Sequence, residues 1–205
     1  MASILSLRLY IIILAFLGGC CFLSACGGPE PATLDGENII CFGDSLTSGT
    51  GAPPAESYPA QLSEMIGRTV INSGIPGDTT GRALQRLERD VLSRSPRIVL
   101  ITLGGNDLKN GVDKTVAFEN LRKIVNSIRA ENALVVLGGI RLPFWDRGYS
   151  KEYKKLAAET GVLLIPDILG GLMGKKELMH DTVHPNGAGY KIIAQKYYKA
   201  IQPYL

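Results

Sequence analysis

The amino-acid sequence predicts an α/β protein, a three-layer α/β/α sandwich built on a five-stranded parallel sheet. Five short apolar runs recur along the chain, and each is followed by residues with the apolar spacing of a helix. Strands that alternate with helices form parallel sheets covered on both faces. The 205 residues suffice for one such domain with a full hydrophobic core. The 22 basic and 19 acidic residues nearly balance, and no basic stripe indicates nucleic acid as a partner.

The predicted strands are short and largely aliphatic, and they comprise residues 38–42, 69–72, 97–103, 134–137 and 162–165. Helical spacing predicts five helices, whose apolar faces are Tyr58, Leu62 and Met65; Leu84, Leu87 and Val91; Ala117, Leu121, Ile124 and Ile128; Tyr153, Leu156 and Ala157; and Tyr190, Ile193, Ala194, Tyr197 and Ile201. We expect the second helix to run to about Ser95, where Pro96 stops it.

Residues 1–25 have the composition of an export signal. Arg8 is the only charge, and residues 9–23 are almost unbroken apolar side chains. The Leu23-Ser24-Ala25-Cys26 sequence that follows resembles the lipobox of bacterial lipoproteins, in which the residue corresponding to Cys26 is acylated and becomes the new N-terminus. Cys20 ends a poorer second match. The alternative is a plain membrane anchor, for which the apolar run is short.

Residues 26–37 are predicted to be the lipidated cysteine and a flexible tether, and residues 38–205 the folded domain. Gly27 follows the cysteine where an Asp would favour the inner membrane. By resemblance to bacterial lipoproteins, this favours the periplasmic face of the outer membrane in a Gram-negative host, so we expect a lipid-anchored protein of the cell envelope. Of the 4 cysteines only Cys26 and Cys41 would survive cleavage, so no structural disulfide is expected. Cys41 lies in the first strand and is expected to be a small buried hydrophobe.

Ser45 follows the first predicted strand at the point where the chain turns. A serine there is presented at the rim of the sheet, where ligands of parallel sheets bind. A hydroxyl is a weak nucleophile at neutral pH, so it needs a base and a site that stabilises an anion. Polar and glycine-rich clusters also follow the second and third strands, and we expect all three clusters to form a single site.

His184 is the candidate base. Asp181 precedes it by three residues, close enough in one turn to bond a ring nitrogen and fix its tautomer. Pro185 and Asn186 suit a helix start, which would hold His184 before a rigid element. A lone D-x-x-H spacing more often marks a surface histidine, and it gains meaning only together with Ser45.

The candidate anion-stabilising groups are the side chain of Asn106 and the backbone N–H of Gly74. Asn106 lies in a Gly-Gly-Asn-Asp turn after a strand, and a glycine lets its N–H approach a ligand closely. The alternative is that both are ordinary strand-to-helix turns. Asp44 and Asp107 are neighbours of proposed site residues, and we expect both to bond backbone amides around the site.

Four segments together resemble the four blocks of the SGNH, or GDSL, hydrolase family, in order; they are residues 42–47, Gly74, residues 104–107 and residues 181–186. Residues 140–143 and the segment 178–186 further resemble the branch of bacterial arylesterases, acyl-thioesterases and lysophospholipases. The resemblance implies a flavodoxin-like sandwich and the hydrolysis of carboxylic esters, namely acyl esters, lysophospholipids or acyl thioesters. We expect a monomer that acts on a small acyl ester or lysophospholipid. It implies Ser45 as nucleophile, His184 as base and Asp181 as its orienter. The oxyanion donors it implies are the N–H groups of Ser45 and Gly74 and the Asn106 side chain.

The implied reaction is acyl transfer to water through an acyl-enzyme, which needs neither a metal nor an organic cofactor. Within the enzyme class the alternative is an O-acetylesterase of carbohydrate or peptidoglycan. A nucleotide- or ligand-binding lipoprotein is a further alternative, although the chain lacks the G-x-x-x-x-G-K-[ST] phosphate loop. The loop residues 75–76, 142–145 and 172–173 either line an acyl groove or simply pack the loops.

Overall fold

The computed structural model describes residues 33–141 and 146–205. Its five strands form one sheet in the spatial order β2-β1-β3-β4-β5, and every neighbouring pair is parallel. The strands are β1 (Asn38–Gly43), β2 (Val70–Gly74), β3 (Pro96–Thr102), β4 (Leu134–Gly138) and β5 (Leu163–Ile165). The predicted five-stranded parallel sheet is confirmed.

Seven α-helices occur within the described residues, and five of them cover the two faces of the sheet. They are α1 (Ser45–Ser48), α2 (Tyr58–Ile66), α3 (Thr80–Asp90), α4 (Gly105–Asn110), α5 (Lys114–Ala130), α6 (Tyr149–Thr160) and α7 (Gly187–Ile201). Helices α3, α5 and α6 pack on one face and α2 and α7 on the other. In the described part of the chain, no helix has the length and apolar character needed to cross a membrane.

Side chains of the central strands alternate between two apolar cores. On β1, Ile40 and Phe42 pack under α3, α5 and α6, whereas Ile39 and Cys41 pack under α2 and α7. Alternation is the geometry of an extended strand, and strands buried on both faces are apolar throughout. Cys41 is fully buried with a free thiol, as expected of a small hydrophobe.

The end of α3 differs from the sequence prediction. The α-helix ends at Asp90, and a 3₁₀ turn over Leu92–Arg94 leads to Ser95, whose φ of 49° is left-handed. Pro96 is the first residue of β3 and not a helix stop. Proline is accepted at the first position of a strand because its missing N–H is not needed by the ladder there.

The order of the sheet reverses at β1. The chain passes from β1 to β2 on one side and then returns to β3 on the other, so β1 and β3 are neighbours at the reversal. A crevice opens at the carboxyl ends of the strands that flank such a reversal. Asp44 and Ser45 follow β1 there, and Gly104 to Asn106 follow β3.

Candidate active site

Ser45 is held at the first residue of α1 by its neighbour Asp44. The Asp44 carboxylate caps the helix by accepting the Leu46 N–H at 3.0 Å, and the Asp44 N–H donates to the Thr102 carbonyl at 3.3 Å. A Cβ at Gly43 would overlap both the Thr47 hydroxyl and that carbonyl, so only glycine fits before Asp44. The chain therefore turns tightly from strand to helix and leaves Ser45 half-buried at the rim of the sheet.

His184 lies between Ser45 and Asp181. Its Nε2 is 3.0 Å from the Ser45 Oγ, and its Nδ1 is 2.8 Å from Asp181 Oδ2. A proton on Nδ1 that is donated to Asp181 leaves Nε2 free to accept the Ser45 proton. The structure thus brings together the three predicted residues across 139 positions of sequence.

Asp181 is fixed by the turn that it shares with His184. Its Oδ1 accepts the backbone N–H groups of Val183 and His184, each at 2.7 Å. Burial raises the pKa of Asp181, but the bonds from the His184 backbone and ring and from the Val183 N–H outweigh it and lower that pKa to about 2. Asp181 is therefore a carboxylate over the whole neutral range.

A short bridge and a helix cap hold this turn in place. Met179 pairs with Pro185 in an isolated antiparallel bridge, and the His180 N–H donates to the His184 carbonyl at 2.9 Å. Asn186 caps α7 by accepting the Gly189 N–H at 3.1 Å, as predicted from the sequence. The histidine is thereby anchored directly before a rigid helix.

Asn106 reaches the site from the start of α4. Its amide nitrogen donates to the Asp78 carbonyl at 2.9 Å and to Asp44 Oδ2 at 3.2 Å. A primary amide has two N–H groups, so an oxyanion would compete with Asp44 for the longer of these bonds. The predicted donor is in the site, but it also holds the residue 75–78 turn.

Asp44 is a buried acid beside this amide. Burial raises its pKa to about 7, the Leu46 N–H opposes that rise, and the nearby charges of Asp78 and Asp107 add to it. Asp107 accepts the Thr80 N–H at 2.9 Å and the Thr80 hydroxyl at 2.6 Å. The expectation that Asp44 and Asp107 bond backbone amides around the site is confirmed.

The sequence prediction for Gly74 is not supported by its geometry. The Ile75 N–H donates to the Gly43 carbonyl of β1. Successive N–H groups of a strand point to opposite sides, so the Gly74 N–H points away from β1 and Ser45. It donates instead to the Asn72 side chain at 3.0 Å. Gly74 is needed for another reason, because a Cβ there would overlap the Ser48 backbone of α1.

Gly77 is a better candidate for the backbone donor of this loop. It has φ 79° in a turn closed by the Asp78 N–H to the Ile75 carbonyl at 3.1 Å. Asn106 is bonded to the same turn at Asp78. Over the described residues, the Gly77 N–H has no acceptor within the protein. The Gly-Asp pair of residues 77–78 was the sequence signal for this position.

Arg86, whose role no sequence motif indicates, lies directly behind the site. Its side chain is only 8% exposed, and it donates to Asp78 at 2.6 Å and to Asp90 at 2.9 Å. The same guanidinium donates at 2.9 Å to the carbonyls of Ser73 and Gly43, and it lies 4.4 Å above the Phe42 ring. One cation thus connects the ends of β1 and β2 with the turn that Asn106 holds.

A cavity of about 560 Å³ opens beside Ser45. Its walls are mostly apolar, and its lining residues are Asp44, Ser45, Leu46, Gly105, Asn106, Lys109, Ile140, Leu169, Met173, Thr182, Val183 and His184. Of the loop residues proposed for an acyl groove, Met173 lines the cavity, whereas Leu172 belongs to the buried core. Residues 142–145 lie outside the described residues. No cluster of three or more His, Cys, Asp or Glu fit to hold a metal ion occurs in residues 33–141 and 146–205.

A serine paired with a histidine and an aspartate, at the carboxyl edge of a flavodoxin-like sheet, defines a hydrolase of the serine esterase class. The sequence agrees with this class. The chain belongs to the GDSL-like Lipase/Acylhydrolase family, whose pattern it matches over residues 41–192.

Individual relatives are esterases of this family. The chain is 33% identical over 175 residues to Thioesterase 1/protease 1/lysophospholipase L1 of Escherichia coli K12, covering 82% of this chain and 84% of the relative. It is 36% identical over 170 residues to an arylesterase of Vibrio mimicus, covering 78% of this chain and 85% of the relative. The crystal structure of TesA superposes with a TM-score of 0.78 at 29% identity, over 82% of this chain and all of that one (100%). The fold and the class of reaction, hydrolysis of carboxylic esters, are those of the family.

Proposed function

We propose that this chain is a lipid-anchored esterase that hydrolyses acyl esters through an acyl-enzyme on Ser45. The observation that carries the proposal is the 3.0 Å contact between Ser45 Oγ and His184 Nε2, with Asp181 on the far side of the ring. His184 takes the proton of Ser45 as its oxygen attacks the ester carbonyl, and then delivers that proton to the departing alcohol. A water molecule then gives a proton to His184 and attacks the acyl-enzyme. The proton returns to Ser45 as the acid is released.

The negative charge of the tetrahedral intermediate is stabilised by three donors. The Ser45 N–H is at the first position of α1, where no helical acceptor exists for it. The Asn106 amide and a backbone N–H of the residue 75–78 turn are the other two. Donors fixed before the reaction cost no reorganisation when the charge develops.

The apolar lining supports an acyl chain as the group that enters the cavity. Contact with Leu46, Ile140, Leu169 and Met173 would stabilise the bound chain by about 25 cal/mol for each Å² of its surface taken from water. The names of the two relatives, a thioesterase and lysophospholipase and an arylesterase, support thioesters, lysophospholipids and aryl esters as candidate substrates. An O-acetylesterase of carbohydrate would instead need a small acyl site and a polar wall.

The test is a panel of esters and thioesters of graded chain length, together with acetylated sugars. We expect kcat/KM to rise with chain length, and Ser45→Ala to abolish turnover while leaving the melting temperature near that of the wild type. Maximal activity on acetylated sugars would replace this proposal with an O-acetylesterase. A folded Ser45→Ala protein with normal turnover would rule out the serine mechanism. Nucleotide binding without any esterase activity would favour a binding protein.

The lipid anchor is the second part of the proposal, and it rests on residues 1–26, which lie outside the described part of the chain. Cleavage before Cys26 and acylation of that cysteine would place the enzyme at the cell envelope. Mass spectrometry of the mature N-terminus should find a lipid on Cys26. An unmodified cysteine, or cleavage at Cys20, would contradict it. A Cys26→Ser protein without the signal should be soluble and active, because Ser45, Asp181 and His184 all lie beyond the tether.

A further inference from the structure

Lys109 is a charged residue of the cavity that the reaction does not use. It lies in the last turn of α4, its side chain is exposed, and it is among the residues that line the cavity beside Ser45. Asn106 precedes it by three residues on the same helix, a spacing that leaves about 5–6 Å between the two Cβ atoms on one helix face. A cation is therefore held one helical turn from the predicted oxyanion donor.

Among the residues that the structure describes, no carboxylate neutralises this lysine. Within residues 33–141 and 146–205, Lys109 forms no ion pair. Residues 142–145, which follow the lining residue Ile140, are Leu-Pro-Phe-Trp and bring no acid. In the described part of the chain, the ammonium at the edge of this apolar cavity thus has no carboxylate counter-ion.

The acidic residues closest to Lys109 in sequence are hydrogen-bonded to other groups. Asp107 is fully buried and bonded to Thr80, and Asp113 caps α5 by accepting the N–H groups of Thr115 and Val116 at 2.8 and 3.2 Å. The acidic residues of the reacting centre are hydrogen-bonded as well. Asp44 is bonded to Leu46 and Asn106, and Asp181 to His184 and Val183.

We propose that Lys109 binds an anionic group on the alcohol or thiol part of the substrate, so that the enzyme prefers anionic amphiphilic esters to neutral ones. The inference rests on the proposed function, since it concerns the same cavity. The acyl chain takes the apolar wall formed by Leu46, Ile140, Leu169 and Met173, where a charge would lose its hydration. The charge must then lie on the leaving part, a few bonds from the ester. A phosphate and a carboxylate share this chemistry.

Two matched pairs of substrates measure the preference. The first pair is a nitrophenyl octanoate and the same ester with a carboxylate on the ring. The second pair is monooctanoylglycerol and monooctanoylglycerol phosphate, all below their critical micelle concentrations. For each pair, the ratio of kcat/KM for the anionic ester to that for the neutral ester is determined in the wild type and in variants. The pair with the larger ratio identifies a carboxylate or a phosphate as the preferred anion.

Lys109→Met keeps the length of the side chain and removes its charge. We expect it to lower the ratio about fivefold, the size of a solvent-exposed charge-assisted contact. Lys109→Arg should keep most of the ratio because the charge is retained. Lys199→Met makes the same change of net charge at an exposed position in the last turn of α7, away from the cavity, and should leave the ratio unchanged.

Salt provides a measurement that needs no variant. The wild-type ratio should fall between about 0.05 and 1 M salt, because the screening length shrinks to about 3 Å at 1 M. An equal ratio in the wild type and Lys109→Met, while both hydrolyse the neutral esters, would overturn the role of Lys109 and leave the esterase function standing. An equal fall of the ratio in Lys199→Met would assign the preference to the net charge of the protein, and it would also overturn the role of Lys109. Failure of the wild type to hydrolyse any of these esters would remove the proposed function, and this inference with it.

Discussion

Arg86 Nη2 donates to the carbonyl oxygen of Gly43 at 2.9 Å, which joins helix α3 to the strand end that precedes Asp44 and Ser45. The same side chain neutralises Asp78 and Asp90, both of which are mostly buried. Because a planar guanidinium has five donors in a fixed arrangement, it can hold two carboxylates and two carbonyls at once. The position of the serine thus depends on a cation that never contacts it.

Removing this cation should be costly for stability. Arg86→Met would take from Asp78 and Asp90 their buried partner and leave them only exposed arginines such as Arg82 and Arg89, so the loss should be about 3 kcal/mol, the lower end of the cost of breaking a buried pair. The unfolding free energy of Arg86→Lys should lie between those of the wild type and Arg86→Met, because an ammonium keeps the charge but cannot reproduce the four hydrogen bonds. Urea unfolding at neutral pH gives both values.

Arg82→Met is the matched control for that measurement. Arg82 lies one turn earlier on α3 and also pairs with Asp78, at 3.4 Å, but its side chain is 62% exposed. Exposed pairs contribute about 0–1 kcal/mol, so this variant should be nearly as stable as the wild type. Equal losses of unfolding free energy in Arg82→Met and Arg86→Met would mean that the burial of the Arg86 network does not add to stability.

Asp44 predicts a pH dependence of stability. Burial, followed by the charges of Asp78 and Asp107, raises its pKa from 3.8 to about 7 in the folded protein. Between about pH 4 and 7 the unfolded chain therefore loses a proton that the folded protein keeps, and stability falls as pH rises. A tenfold difference in acidity between the folded and unfolded states corresponds to about 1.4 kcal/mol, so the full loss of stability is about 4 kcal/mol.

Asp44→Asn removes that titration while keeping the size of the side chain. The difference in unfolding free energy, variant minus wild type, should increase from pH 4 to about pH 7 and stay constant above it. Using the difference cancels the other titrating groups and any constant cost of the substitution. A difference that does not vary with pH would show that Asp44 ionises in the folded protein as it does in the unfolded chain.

The histidine base predicts a pH dependence of activity with the opposite sign. A histidine accepts a proton only when it is neutral, so kcat/KM should rise as the pH is raised from acid towards neutral. Asp181 adds no step to this profile, because its pKa is lowered to about 2 and it stays ionised throughout. His184→Ala should lower kcat by roughly 10²–10⁴.

His180→Ala is the internal control for this assignment. His180 lies four residues from His184 in the same loop, but its side chain packs against Gly51. Its removal should preserve both the rate and the pH profile. An essential His180 with a dispensable His184 would show that the base is wrongly assigned.

Features that depend only on residues close together in the chain were predictable from the sequence. The strands follow apolar runs, and the Asp181–His184 contact lies within one turn, so residue spacing suffices for both. The contact between Ser45 and His184 followed from the expectation that polar clusters meet at one edge of a parallel sheet.

Two features depended on information that spacing does not carry. The direction of the Gly74 N–H is set by which residue of β2 pairs with Gly43, and a shift of one residue reverses every N–H of the strand. Arg86 lies on a helix whose other arginines, Arg82 and Arg89, are exposed, so its burial follows only from the packing of α3 over the strand ends.

Asn106→Ala distinguishes an oxyanion donor from a residue that only holds a turn. If Asn106 donates to the oxygen of the transition state, Asn106→Ala should lower kcat by about 10²–10³, or ~3–4 kcal/mol, with little change in KM. If its bond to the Asp78 carbonyl is all that matters, the substitution should lower the melting temperature and alter kcat and KM together. Asn110→Ala removes the same kind of side-chain amide from the exposed end of α4, and it should leave kcat, KM and the melting temperature unchanged. Steady-state kinetics and a melting curve on one sample decide between these outcomes, and a stable Asn106→Ala protein with unchanged kcat would exclude the donor role.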